Sequence, residues 1–339
     1  MAWTLREIIA LSFAGKLSSA DVRQCVLRHD TLEAALEAIG RHPMDLLDQG
    51  DLQLEQCSNE GIQPIAFNDV RYPARLFNIT NFPALLYVKG KLPLETASAI
   101  AVVGTRSCTV HYGKPVTEMF VEEWTRSGCV IVSGLANGID MIAHETSLRF
   151  GGRTIAVIAS GINKITPIIA NKLSDRIADN GGCVVSEHAC GIKAQPPYFP
   201  ARNRIISGLS DAVVVVESKS KGGALITADF ATKQHRPLYA IPGPITSTRS
   251  QGCNTLIRER LAQCLTHPTD LSRVVTLHPA PSAQDHSPIS GLDDGEPHLI
   301  DELAERWQCN ISEALSRLMQ LEMEGKVRHL PGQRYVGTV

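Results

Sequence analysis

Residues 199–218 read FPARNRIISGLSDAVVVVES, and two features of this stretch decide the fold around it. The first is the apolar run 212–216, mostly β-branched and bounded by Asp211 and Glu217. A half-buried strand would alternate apolar and polar residues, so an unbroken run suits a strand covered on both faces of a parallel sheet. The second is the cluster Arg202, Asn203 and Arg204, which the pattern places at the start of a short helix just before that strand. Two guanidiniums beside open helix N–H groups would suit a polyanion. Taken alone, the same arginines could equally pair with surface carboxylates.

The pattern extends outward from 98 to 243. Apolar strands at 100–103, 130–132, 154–158, 183–185, 212–216 and 238–241 alternate with helical stretches near 112–127, 144–150, 167–178 and 224–234. Such alternation predicts an α/β fold, a Rossmann-like doubly wound parallel sheet. Glycines gather where strands end: Gly104 before Thr105-Arg106, Gly134 and Gly138 after Ser133, Gly161, and the pair Gly222-Gly223. In an open α/β sheet that edge is where ligands bind, and glycine-rich turns leave backbone N–H groups unobstructed there. Tight turns alone account for some of these glycines. They do not account for Arg106, Ser133, Thr227 and the 202–204 cluster meeting at the same edge. No G-x-G-x-x-G follows the first strand and no G-x-x-x-x-G-K-[ST] is present. A dinucleotide cofactor or a nucleoside triphosphatase is therefore disfavoured, and no cofactor is expected.

With 339 residues, 43% apolar and 20% charged, the chain has room for a sizeable core and two or three soluble domains. Residues 1–17 contain Arg6, Glu7 and Lys16 without an unbroken apolar core, and no run approaches bilayer length. The expectation is a cytoplasmic protein with no membrane partner. Nine cysteines occur singly with no C-x-x-C pair, which predicts reduced, mostly buried thiols. The net charge of −2 is unevenly spread. Residues 1–70 hold five cations against eleven acids, whereas residues 193–260 hold ten cations against four acids. A locally basic block inside a near-neutral chain points to an anionic partner.

Residues 1–62 carry helical stripes (Leu5, Ile8, Ile9 and Leu11; Val22, Cys25 and Val26; Leu32, Ala35, Leu36 and Ile39) and read as a small helical, SAM-like domain. Its one candidate phosphate-gripping turn, LSFAGKLSSADV, has a single glycine in an acidic segment, which favours a packing or interaction role. Residues 63–270 form the Rossmann-like domain. Its first part, 63–97, is an extension broken at Pro73, Pro83 and Pro93 around a short strand at 84–88. Residues 271–297, rich in Pro, Ser and Asp, read as a flexible linker. Residues 298–339 read as two helices and a hairpin, a winged-helix-like domain with five cations against six acids. That balance makes a protein contact at least as well founded as DNA for this tail.

Two pairs could suggest catalysis. Asp140 and His144 lie four apart on a helix, without a third ligand at useful spacing, so a structural hydrogen bond or cap is the better reading. Glu187 and His188 lack a neighbouring nucleophile or second carboxylate and are also read as structural.

Several long blocks in fixed order carry a family resemblance: AVVGTR, VSGLANGIDMIAH, GGRTIAVIASG, FPARNRIISGLS, GGALITADFA, IPGPI and QGCNTLI, spread over 98–262. In these the chain resembles the DprA/Smf family of bacterial DNA-processing proteins. The resemblance implies single-stranded DNA binding, protection of incoming DNA and loading of the RecA recombinase in natural transformation. It also implies a homodimer with a Rossmann-like core and no established catalysis. Position by position, it implies a DNA site of Gly104, Arg106, Ser133, Gly134, Lys172, Phe199, Arg202, Asn203, Arg204, Lys221, Gly223 and Thr227. Within that site Arg106 would contact phosphate, a task that suits a planar guanidinium.

The chain departs from the family pattern at three places. ASG stands where GxG is common, Thr166-Pro167 stands for Tyr-Pro and removes a stacking ring, and KGG stands for SGS and adds Lys221. The competing reading is a nucleotide phosphoribohydrolase with a PGGxGTxxE block. Here KGGALITAD has Ala228-Asp229 where the catalytic glutamate would be sought, so that enzyme class is disfavoured.

Overall fold

The computed structural model describes residues 3–15, 17–41, 44–93, 97–277, 292, 296–307, 311–323, 325–332 and 334–337. The chain divides into two units, Met1–His278 and Pro279–Val339.

Four helices open the first unit: α1 (Leu5–Ser12), α2 (Ser19–Arg28), α3 (Leu32–Ala38) and α4 (Met44–Asn59). The first two begin with capping boxes, Thr4 with Glu7 and Ser18 with Asp21. Each box satisfies N–H groups that the first helical turn leaves open. The hairpin strands β1 (Ile62–Ala66) and β2 (Leu85–Gly90) follow. The alternating part is β3 (Ala99–Val103), α5 (Gly113–Arg126), β4 (Val130–Ser133), α6 (Ile139–Arg149), β5 (Thr154–Ile158), α7 (Ala170–Asp179) and β6 (Cys183–Ser186). It continues through α8 (Tyr198–Gly208), β7 (Ala212–Val215), α9 (Ala224–Lys233), β8 (Leu238–Ala240), α10 (Gln251–Arg258) and β9 (Gln263–Cys264).

All nine strands form one sheet in the order β1-β2-β6-β5-β4-β3-β7-β8-β9. From β6 to β9 neighbours run parallel, while β2 lies antiparallel to both β1 and β6. The six expected parallel strands are all present. The antiparallel hairpin and β9 extend the sheet at its two ends.

Both faces are covered, which is why the central strands are apolar throughout. On one face Ala101, Val132, Val157, Val213 and Val215 pack with Ile205 of α8, Leu209 just after it and Ala228 of α9. On the other, Ile100, Val102, Ile131 and Val214 meet Phe120 and Trp124 of α5 and Ile139 of α6. Leu271 and Val275 belong to that second cluster, so the chain leaves the core later than the expected start of the linker at 271. Most of the linker, 278–291 and 293–295, lies outside the described residues. The N-terminal helices share a core with the sheet: Ile8, Ile9, Leu11 and Leu36 join Tyr87, Ala156 and Val184 in one cluster.

From β3 the chain steps one way through β4, β5 and β6, then returns to place β7 on the other side of β3. The connections leaving β3 and β7 therefore diverge, and a crevice opens between them at the carboxyl ends of the strands. Two glycines let α6 approach that edge. A Cβ on Gly104 would meet Ile139 Cγ1 at 2.4 Å, and Gly138, at φ 82°, would meet the Thr105 carbonyl at 2.3 Å. No helix among the described residues is long and apolar enough to cross a membrane.

The second unit contains β10 (His298–Leu299), α11 (Ile300–Arg306), α12 (Ile311–Met323), β11 (Val327–Leu330) and β12 (Arg334–Gly337). Its antiparallel sheet runs β10-β12-β11, with Leu303, Ala314, Leu318, Leu321 and Tyr335 in the core. The helix–helix–wing order matches the sequence expectation, and β10 adds a strand to it.

Candidate nucleic-acid interface

The crevice beside β3 and β7 encloses about 410 Å³. The turn after β3 brings Gly104 and Arg106 to it, and the turn after β7 brings Lys219, Gly222 and Gly223. Helix α8 adds Phe199, Arg202 and Asn203, and α9 adds Thr227. The first turn of α9 borders the crevice, so the positive end of the helix dipole faces the space, while the Leu225 and Ile226 N–H groups donate to the Gly222 and Gly223 carbonyls. Gly223 sits at that helix start with φ −60°, and a Cβ there would meet nothing within 4 Å.

Arg106 is exposed and has no ion pair among the described residues; its guanidinium lies 5.4 Å from the centre of the Phe199 ring. That leaves a bidentate donor and an aromatic face together at the rim. Phe199 also borders two further depressions. One, of about 170 Å³, is lined by Gly134, Asn137 and Pro167; the other, of about 510 Å³, by Lys164, Thr166, Asn171 and Lys193.

Arg202 is 7% exposed and lines the crevice, with its Nη1 and Nε donors committed within the fold. Its Nη1 donates to the Gly134 carbonyl at 2.7 Å and to the Val157 carbonyl, and its Nε to Asn203 Oδ1 at 3.1 Å. It ties the turn after β4 to β5 and brings its charge to the crevice wall. Burial lowers its pKa to about 10, opposed by the charge of Asp140. Gly134 makes room for this arrangement: a Cβ there would stand 2.7 Å from Arg202 Nη2 and 2.8 Å from Asp140 Oδ2.

The remaining expected residues are placed differently. Arg204 does not line the crevice. Its Nη2 pairs with Glu187 at 2.6 Å, its Nε donates to the Asn81 carbonyl at 2.7 Å and its Nη1 to the Ala201 carbonyl at 3.0 Å. Residues two apart on a helix lie on nearly opposite faces, so Arg202 and Arg204 cannot share one site. Moreover, α8 starts at Tyr198, which puts 202–204 in its second turn; the helix start facing the crevice is that of α9. Ser133 is fully buried and its hydroxyl donates to the Val102 carbonyl at 2.6 Å, linking β4 to β3. Lys172 is exposed on α7 outside the crevice, although its neighbour Asn171 borders the Lys164–Lys193 depression. Lys221 is exposed and does not line the crevice, whereas Lys219 does.

Sequence reasoning missed Lys164, Lys193, Lys219 and Asp140 as lining residues. The excess of positive charge over 193–260 was the available signal for Lys193 and Lys219. Nothing in the sequence pattern marked Lys164.

Among the described residues no carboxylate pair suited to bond cleavage lines the crevice. Asp229 is exposed and paired with Lys233 at 2.6 Å. Asp140 does line it; burial raises its carboxyl to about 6 against the pull of Arg202 and the N–H groups of Ala136 and Gly134. His144 is fully buried with Nδ1 2.6 Å from Thr154 Oγ1, and burial lowers its pKa to about 3, so its imidazole is neutral. Among the described residues no group of three or more His, Cys, Asp or Glu could hold a metal ion. Glu187 and His188 are structural: Glu187 accepts from Arg204 and from Ser19 Oγ at 2.6 Å, and the His188 ring stacks on Tyr198 at 4.1 Å.

Comparison with known proteins agrees with this architecture. Residues 63–276 match the family model for DNA recombination-mediator protein A, and residues 276–333 match the DprA winged helix domain. The chain is 35% identical over 279 residues to Protein Smf of Escherichia coli, covering 77% of this chain and 74% of that protein. It is similar to the solved structure of DNA processing protein A from Streptococcus pneumoniae, with a TM-score of 0.70 and 34% identity over 82% of this chain and all of that one. It is also similar to DNA processing protein A from Helicobacter pylori, solved in a study of that protein's single-stranded DNA binding mode. There the TM-score is 0.56 at 30% identity, over 62% of this chain and 94% of that one. With its core domain and its C-terminal module matched by family models and a relative matched over 74% of its length, the chain belongs to the DprA family of DNA recombination-mediator proteins.

Proposed function

We propose that this protein binds single-stranded DNA across the crevice between β3 and β7, protects it in the cytoplasm and hands it to the RecA recombinase during DNA uptake. On this reading it works as a homodimer and does no chemistry on the strand. The sheet domain that follows residue 62 bears the DNA, the helices of 1–62 pack against it, and 298–339 supply an accessory contact. The observation that carries the reading is the exposed guanidinium of Arg106 over Phe199, lining the same crevice as the start of α9 at Gly223. Cations would hold phosphates while the ring stacks on an unpaired base, a combination that tolerates any sequence. The resemblance of the core to a protein studied for its single-stranded DNA binding supports it.

Titrating fluorescent single- and double-stranded oligonucleotides across a salt series tests the proposal. Preference for the single strand is expected, with a log–log slope near 0.7 per phosphate neutralised. Equal affinity for both forms, or a flat salt response, would refute it.

Gly223 offers a probe that spares the fold. Its backbone is helical and the space around it is empty, so Gly223→Leu should fold normally and block the crevice mouth. A loss of single-strand affinity of about tenfold is expected, equal to about 1.4 kcal/mol. Unchanged affinity would place the strand elsewhere.

Asp140 makes binding depend on pH. Its carboxyl titrates near 6 rather than at the ordinary 3.8 because it is buried. As pH falls from 7.5 to about 5.5 the crevice loses most of one negative charge, so affinity should rise severalfold. Asp140→Asn should flatten that rise. For stability the sign is the same. Between about 4 and 6 the folded state holds a proton that the unfolded chain has released, so this contribution is lost as pH rises through that window.

A further inference from the structure

Away from the crevice, two thiols 133 residues apart in sequence meet inside the first unit. Cys57, on α4, and Cys190, in the connection from β6 to α8, have their sulfurs 3.6 Å apart. They are 1% and 7% exposed. The Gln53 side-chain amide donates to Cys57 Sγ at 3.4 Å, and the buried Tyr87 hydroxyl near both sulfurs has no hydrogen-bond partner among the described residues. The other buried cysteines, Cys129, Cys183 and Cys253, have no second sulfur hydrogen-bonded to them among the described residues.

We propose that Cys57 and Cys190 are a site of reversible oxidation, closing to a disulfide with a peroxide as oxidant and tying α4 to the connection that leads into α8. The polar contacts assign the roles. The Gln53 amide donates to Cys57 Sγ and favours its thiolate, and in that state the Cys190 thiol is the donor left to the S–S contact. The Cys57 thiolate attacks one peroxide oxygen, the O–O bond breaks, and the departing hydroxide takes up a proton to leave as water. Cys57 is now a sulfenic acid. The Cys190 sulfur displaces its hydroxyl, which leaves as a second water once the Cys190 proton is transferred, and the S–S bond forms. Both sulfurs are oxidised and both peroxide oxygens reduced, so the step balances.

The geometry allows the short approach that remains. Cys190 precedes Gly191, which sits at φ +87° in a turn held by Asn163 and Gly161, so the sulfur is carried by a connection rather than a strand. Closing the bond fixes together segments far apart in the chain, which restricts the unfolded state and raises the unfolding temperature.

The test uses the full chain, reduced and then titrated with hydrogen peroxide, alkylated under denaturing conditions and mapped by mass spectrometry. One cross-linked peptide joining Cys57 to Cys190 is expected, reversed by dithiothreitol, with Cys129, Cys183 and Cys253 still recovered as alkylated thiols. The oxidised protein should melt several degrees above the reduced one. In Cys190→Ser, dimedone should trap a sulfenic acid at Cys57; in Cys57→Ser, none should appear at Cys190. The proposal is overturned if a dose that oxidises the exposed Cys264 leaves both residues as free thiols. A cross-link elsewhere, or one that forms only in denaturant, overturns it too. Mapping of the unaltered chain decides the matter even if a serine variant fails to fold.

Discussion

Arg106→Ala is expected to weaken single-strand binding by between tenfold and a hundredfold while leaving the melting temperature where it was. The two halves of that expectation come from the same geometry. Arg106 is exposed, has no ion pair among the described residues, and touches the fold through its approach to the Phe199 ring. Removing it should cost stability no more than an ordinary surface change does, within about 0.5 kcal/mol. A guanidinium on phosphate is a charge-assisted contact worth about 1.5–3 kcal/mol, which sets the size of the affinity loss. The log–log salt slope should fall by about 0.7, one phosphate's share. Arg106→Lys should recover only part of the affinity, because the ammonium lacks the planar fork. Anisotropy titrations at several salt concentrations, with a thermal melt of each variant, separate these outcomes. Unchanged affinity would remove Arg106 from the interface.

Arg204→Ala should do the reverse, costing about 3–5 kcal/mol of stability. Against the 5–15 kcal/mol that holds a typical domain together, that is a large fraction. The side chains of Arg204 and Glu187 are 9% and 19% exposed and paired at 2.6 Å, so truncation leaves a mostly buried carboxylate without its cation. Burial works to raise the Glu187 pKa, yet the Arg204 charge and the hydrogen bonds from Arg204 and Ser19 hold it below the usual range. A depressed carboxylate stabilises the fold above its unfolded pKa and loses that contribution as pH falls through the folded value. In Arg204→Ala the sign should invert, with the variant gaining relative stability in acid as Glu187 takes up a proton. Urea unfolding at pH 7 and pH 5 measures both effects. Adding Glu187→Gln should restore part of the loss at neutral pH, since a neutral amide is cheaper to bury unpaired. If Arg204→Ala instead unfolds like the parent and fails to bind DNA, Arg204 belongs to the interface after all.

The contrast between these two arginines shows where sequence reading stops. Both stand in one short string of letters, FPARNR. The helix turns about 100° per residue, so the fold aims one at the crevice and the other at the loop around Asn81. The phase of α8 depends on where it begins, and it begins at Tyr198, four residues ahead of Arg202. Ser133 was misjudged for a related reason. A residue at the last position of a strand can face the open edge or the neighbouring strand, and the Val102 carbonyl takes its hydroxyl. Strand β1 escaped notice because IQPIA carries a proline and only five residues; an edge strand tolerates both.

By itself the sequence determined the layered α/β fold, the helix–helix–wing tail and the sheet edge where a ligand would bind. Strands buried on both faces must be apolar along their whole length, and glycines must stand where helices crowd the strand ends, as Gly104 does against Ile139. Only the tertiary structure decided which cations share that edge and which hold the protein together. Arg106 and Lys219 reach the crevice, Arg202 is spent on the carbonyls of Gly134 and Val157, and Arg204 on Glu187. It alone brought Cys57 against Cys190 across 133 residues of chain. The physical reason is common to both: periodicity reports which side of an element is buried, whereas the partner of a charge or a thiol is set by where distant segments come to rest.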